Sequence, residues 1–125
     1  MARILHVALW VRDLEGMKDF YTQYFGGKAG DKYENRKKQF SSYFIDFGQG
    51  ASLELMFQAN SPEGPGSGAS QTGWAHIALG LGSEEAVLSM TDKLRKAGCR
   101  IAGEPRVTGD GFFESVILDP EGNRV

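Results

Sequence analysis

The chain has 125 residues, 41% of them hydrophobic and 11% aromatic, with a formal net charge of −2. That length supports one domain with a proper core, or two small halves sharing one, and the apolar share excludes disorder. The near-neutral balance leaves no basic field to hold nucleic acid, and no apolar stretch approaches the length of a membrane span.

A single cysteine, Cys99, excludes an internal disulfide framework and suits a reducing cytoplasm. No signal peptide precedes the first strand-like residues, so a cytoplasmic protein is expected. Cys99 follows a helix-ending glycine and starts a short apolar run, the setting of an inert thiol rather than a nucleophile.

Arg3 to Val11 is a mainly apolar run of strand length. Asp13 then offers a helix N-cap, and Leu14, Met17, Phe20, Tyr21 and Tyr24 recur at helical spacing. Gly26-Gly27 ends that helix. Strands are predicted at Lys28–Tyr33, Phe40–Phe47 and Ala51–Phe57, the last two joined by the turn Gly48-Gln49-Gly50. Asp31 to Lys38 mixes charges of both signs and reads as a solvated hairpin.

Ala59 to Gly73 is rich in Gly, Pro and Ser, has no periodic apolar signal and reads as a linker. Its GPGSG lacks the Lys-Ser/Thr and following helix of a phosphate loop. After it the order repeats. A strand is predicted over Trp74–Leu81, and Ser83 caps a helix whose Glu84 and Glu85 suit its positive start. Val87, Met90, Leu94 and Ala97 form the apolar stripe of that helix, and Gly98 stops it. Strands at Arg100–Ala102, Arg106–Thr108 and Phe112–Leu118 precede the turn Asp119-Pro120-Glu121-Gly122-Asn123. The fold class is therefore α+β: two tandem βαβββ modules, 1–58 and 74–125, forming one domain across a 59–73 linker.

The repeat has a measurable offset. His6 and His76, like Asp13 and Ser83, stand 70 residues apart; Gly26 and Gly98, like Gly50 and Gly122, stand 72 apart. The only two histidines thus occupy equivalent strand positions among apolar neighbours. One histidine alone would read as a core residue bonded to a carbonyl. Two at matched positions favour a shared ligand site, because neutral imidazole is the commonest metal ligand of this type.

A carboxylate should complete the set. Glu54, in Ser52-Leu53-Glu54-Leu55-Met56, shares a strand face with Ser52 and Met56 and reads on its own as a solvent-facing residue. Beside two histidines it becomes the best first-half ligand. Glu114 is an intermediate case that could face the same cavity. Glu84, Glu85, Asp119 and Glu121 have sufficient reasons in caps and turns.

LHVALWVRDLEGMKDFYTQYFGG, SLELM, WAHIAL and LDPEGNRV resemble the vicinal-oxygen-chelate superfamily, which includes glyoxalase I, methylmalonyl-coenzyme-A epimerase, extradiol dioxygenases and bleomycin resistance proteins. The resemblance spans nearly the whole chain and is most similar to glyoxalase I, the lactoylglutathione lyase. It implies a mixed sheet curled around a divalent ion (Ni, Zn, Co or Mn), with ligands from the first and fourth strand of each module. His6, Glu54 and His76 match three of those four positions. The implied chemistry is isomerisation of a 2-oxoaldehyde hemithioacetal, in which a metal stabilises charge on two vicinal oxygens and Glu54 also moves the proton.

Glutathione-using members often carry a basic residue four positions after the first histidine, where this chain has Trp10. Trp10 is expected to stack on, or wall off, a less charged small-molecule substrate. Arg12, Arg36, Lys37 and Lys38 are the other sources of charge. A related metal enzyme with another substrate, or a metal-free binding protein of the bleomycin-resistance kind, are the alternative readings. The resemblance also implies a homodimer with sites shared between subunits. At the 72-residue offset the partner of Glu54 falls immediately after Val125, where a fourth ligand, Glu, is expected.

Overall fold

Exposure alternates along β1 (His6–Trp10): Val7 and Leu9 are half-buried, whereas His6, Ala8 and Trp10 are exposed. The structure, a computed structural model, describes residues 4–60, 76–109 and 111–125. The chain divides into two units, Met1–Glu63 and Gly64–Val125. The 61–75 segment, which holds most of the predicted linker and Trp74, lies outside the described residues.

In the first unit, β1 leads into α1 (Leu14–Phe25), followed by β2 (Lys28–Ala29), β3 (Tyr33–Asn35), β4 (Phe40–Asp46) and β5 (Ser52–Gln58). The sheet runs β1-β5-β4-β2, with β3 also paired to β4. β1 is parallel to β5 and the remaining pairs are antiparallel, so the sheet is mixed. The Asp13 carboxylate caps α1 by accepting the Gly16 N–H at 3.0 Å, and Gly26 closes the helix in the left-handed region. Gly27 has a different duty. A Cβ there would run into the side chains of Ile45 and Phe47, so only glycine lets the chain turn this close to β4.

One face of this sheet is the core. Leu14, Met17, Phe20 and Tyr21 of α1 are buried, as are Ile45, Leu53 and Leu55 on the sheet and Val11 between β1 and α1. Each such side chain contributes about 1.5–3 kcal/mol on burial. Tyr43 lies on the same side and its hydroxyl donates to the Glu15 carboxylate, at 3.0 and 3.1 Å from the two oxygens. The strand expected over Lys28–Tyr33 is instead two short pieces. The register slips by one residue between Ala29↔Ile45 and Tyr33↔Ser42, which is the signature of a bulge. The charged segment beyond forms the β3–β4 hairpin, as expected, with the Lys38 N–H bonded to the Asn35 side chain at 3.2 Å.

The second unit contains α2 (Glu84–Lys96), β6 (Ile101–Val107) and β7 (Phe113–Ile117). Ser83 caps α2 through the Ala86 N–H at 3.1 Å. At the other end the Gly98 N–H bonds the Arg95 carbonyl and the Cys99 N–H bonds the Leu94 carbonyl, at 3.0 and 2.9 Å. This Schellman pair requires the left-handed φ of +90° that Gly98 adopts. Leu94, Thr91 and Ile117 are buried, and Thr91 Oγ1 lies 2.7 Å from Ser115 Oγ. Ala97, expected in the apolar stripe, is exposed.

Two strands of this unit differ from expectation. The strands predicted at Arg100–Ala102 and Arg106–Thr108 are a single strand, β6, which continues past Pro105 with register shifts on both sides of Gly103. Proline has no N–H for the ladder, and the irregularities accommodate that gap. The predicted Trp74–Leu81 strand is not formed over its described part, residues 76–81. There the Ile77 N–H bonds the Arg124 carbonyl at 3.2 Å. The described second unit is thus a helix on a two-stranded sheet with a terminal turn, not a full βαβββ set.

That turn is built on a buried carboxylate. Asp119 accepts the N–H groups of Glu121 and Asn123, each at 2.9 Å, together with the Asn123 side-chain amide. Beyond it, Ile117 and Val125 exchange both backbone hydrogen bonds at 2.9 Å. In the first unit Ile45 pairs with Leu53, the positions 72 residues earlier. Among the described residues no helix is long and apolar enough to cross a membrane.

Candidate metal and substrate site

The sheet face turned away from α1 carries the candidate site. Its members follow from register. Ala8, Glu54 and Phe44 lie abreast on β1, β5 and β4; Trp10, Met56, Ser42 and Tyr33 form the next row; and Gln58, Phe40 and Asn35 the row after. His6 sits one row before Glu54, beside Ser52.

His6 Nε2 approaches Glu54 Oε1 to 3.6 Å. This is beyond hydrogen-bond length, so the imidazole is not a core histidine satisfied by that carboxylate. The His6 side chain is 47% exposed and that of Glu54 15%. The Glu54 carboxylate is therefore largely withdrawn from water, unlike a solvent-facing strand residue. Phe44 presents its ring edge-on to the imidazole, with centroids 5.3 Å apart.

An imidazole nitrogen and a carboxylate oxygen are both donors that Zn, Ni, Co and Mn accept. Two ligands at about 2.0–2.2 Å from one ion stand roughly 3 Å or more apart, so the observed spacing fits a shared ion. Among the described residues no group of three or more His, Cys, Asp or Glu is gathered as a metal would require. His76 belongs to the second unit, where His76, Ile77, Ala78, Leu79 and Gly80 repeat the alternating exposure of β1.

Glu114 also lies in the second unit, opposite Arg106 on β6. Its neighbour Ser115 points to α2, so Glu114 lies on the face turned away from that helix. Burial pushes the Cys99 thiol up, which fits an inert cysteine.

Trp10 is 54% exposed, and its ring meets Phe40 edge-on with centroids 6.1 Å apart. Tyr33 meets the same Phe40 at 6.0 Å. Tyr33, Phe40 and Phe44 share the face that carries Glu54, a grouping the sequence alone does not single out. The signal was present in the alternation Phe40, Ser42, Phe44, which puts two rings on the Glu54 side once β4 and β5 are paired in register.

A family model described as the Glyoxalase/Bleomycin resistance protein/Dioxygenase superfamily matches residues 3–125. The chain belongs to this superfamily. It is 31% identical over 121 residues to the lactoylglutathione lyase of Arabidopsis thaliana, covering 96% of this chain but 41% of that protein. The chain thus spans less than half the length of that relative. It is 28% identical over 124 residues to the lactoylglutathione lyase of Escherichia coli O157:H7, covering 98% of this chain and 89% of the relative. Among solved structures, the trypanothione-dependent glyoxalase I of Leishmania major superposes with a TM-score of 0.76 at 25% identity, over 99% of this chain and 84% of that one. The superfamily member described here therefore has lactoylglutathione lyases as distant homologues.

Proposed function

We propose that the chain is a metal-dependent isomerase or lyase of glyoxalase I type, acting on a small substrate with two vicinal oxygens. The observation that supports this reading is the His6–Glu54 pair: two ligand-type donors 3.6 Å apart on the open face of a sheet. His6, Glu54 and His76 would hold a divalent ion, and Ni, Zn, Co and Mn all suit such a set. When bound, the ion supplies Lewis-acid stabilisation to charge developing on the vicinal oxygens.

The residues of this chain do the rest. His6 binds through a neutral imidazole nitrogen, the form that ligates a metal ion. Glu54 doubles as the base that carries a proton between adjacent carbons. Its low exposure keeps competing water away from that proton. Ala8, abreast of Glu54, has a side chain too small to obstruct a bound molecule at that row. A homodimer that shares each site between subunits belongs to the same proposal, as does a cytoplasmic location.

The test is isomerisation of the hemithioacetals that methylglyoxal forms with glutathione and with simple thiols, followed in metal-loaded protein and in Glu54→Gln. Turnover that is lost in the variant supports the proposal. No turnover of any thiol adduct by metal-loaded protein would remove it and favour a metal-free binding role.

A further inference from the structure

The rows that flank Glu54 differ sharply in character. On the Trp10 side every position except Ser42, Asn35 and Gln58 is aromatic or a methionine: Trp10, Met56, Tyr33 and Phe40. Trp10 and Tyr33 are 54% and 55% exposed, although each meets Phe40 edge-on. Ser42, at the foot of these rings, is 3% exposed. Large rings therefore surround a small, covered residue, and two of them remain about half exposed. None of Trp10, Phe40 and Tyr33 belongs to the α1-packed core, so packing within this unit does not require their size.

We propose that Trp10, Phe40 and Tyr33 form a stacking subsite that selects substrates bearing a planar, uncharged ring close to the vicinal oxygens. This deepens the functional proposal and rests on it. Strand geometry sets the scale. Trp10 is two residues beyond Ala8, the residue abreast of Glu54, and a strand advances about 3.3 Å per residue, so the subsite begins one row, roughly 7 Å along the strand, from the backbone of Glu54. A ring one to three bonds from the reacting carbons spans that distance. Aryl-substituted 2-oxoaldehydes and 2-hydroxyacids have this form, and a multiply charged peptide thiol does not. Ring–ring contacts prefer edge-to-face and offset arrangements, and exposed faces of Trp and Tyr offer both.

The experiment compares two stable probes with one head group, mandelate and lactate, by calorimetric titration of Ni-loaded protein. They differ by a phenyl in place of a methyl. The wild type is expected to bind mandelate at least tenfold more tightly. In Trp10→Ala and in Phe40→Leu that ratio should fall to about twofold or less, with lactate affinity and metal content unchanged. Two variants guard against a local folding defect in either, and unchanged circular dichroism certifies each. Equal wild-type affinities, or a mandelate preference that survives both substitutions, would overturn the subsite and leave the metal reading intact. Neither probe binding to metal-loaded protein would overturn the subsite together with the vicinal-oxygen reading. Protein that takes up none of Ni, Zn, Co and Mn would do the same.

Discussion

His6 and Glu54 are not partners across the β1–β5 ladder, yet their side chains approach to 3.6 Å. The register pairs His6 with Ser52 and Ala8 with Glu54, so the contact is diagonal. It exists because the short residues Ala8 and Ser52 occupy the other corners and leave the two long side chains room to lean together. A bulky residue at Ala8 would fill the space that a ligand needs without touching the α1-packed core.

The core that supports this pair should be sensitive to volume. Leu55 is fully buried between α1 and the sheet, and Leu55→Ala is expected to cost about 2–5 kcal/mol through lost burial and a residual cavity. Gly27→Ala should also destabilise, by roughly 1–3 kcal/mol, because the added methyl meets Ile45 and Phe47. Urea unfolding curves measure both. Wild-type midpoints in either variant would contradict the packing described.

Acid stability should depend on Glu15. Lys32, and after it Tyr43 and Lys18, hold the Glu15 carboxyl below its ordinary value against an opposing effect of burial. A carboxyl with a lowered pKa in the folded state adds stability that is present above the ordinary value of about 4.5. That contribution is lost as the pH falls through the lower folded value. Glu15→Gln should therefore flatten the fall in stability below pH about 4.5. Because the Glu15 side chain is half exposed, the difference should be modest and shrink in high salt. Thermal melts from pH 6 to pH 3 at two salt concentrations decide it, and identical slopes in wild type and variant would contradict the linkage.

Shared sites make a further demand. If each site draws His6 from one subunit and His76 from another, mixing His6→Ala with His76→Ala protein should form heterodimers with one intact site. Some activity should return and, after complete exchange, about a quarter of the wild-type metal content, because half of the dimers are then heterodimers with one intact site of two. No recovery after verified subunit exchange would remove the shared-site proposal.

Local rules made much of the framework legible. Asp13 and Ser83 cap their helices through the N–H three residues on. Gly26, Gly98, Gly50 and Gly122 all take positive φ, as their matched offsets suggested. These features depend only on near neighbours in the chain. What failed depended on pairing. β6 runs through Gly103-Glu104-Pro105 because a partner strand and two irregularities override the turn-like composition. The aromatic rows could not be assembled from periodicity alone, since Trp10, Tyr33 and Phe40 become neighbours only through β5 and β4. Glu54 was legible as a ligand candidate only in company with His6; its own strand, read in isolation, faces solvent.

The central claim is that His6 and Glu54 bind a divalent ion, and metal stoichiometry tests it most directly. Purified wild type, His6→Ala and Glu54→Gln would be stripped, reloaded with Ni, dialysed and measured by elemental analysis alongside thermal melts. The account predicts about one bound ion per wild-type chain. Nickel at 100 times its Kd should stabilise by about 2.7 kcal/mol, a melting shift of roughly 5–15 °C for a chain of this size. Both variants should lose most of the metal and the shift while keeping wild-type circular dichroism. Full occupancy with an undiminished shift in both variants would contradict it, and leave His6 and Glu54 as ordinary residues of an open sheet face.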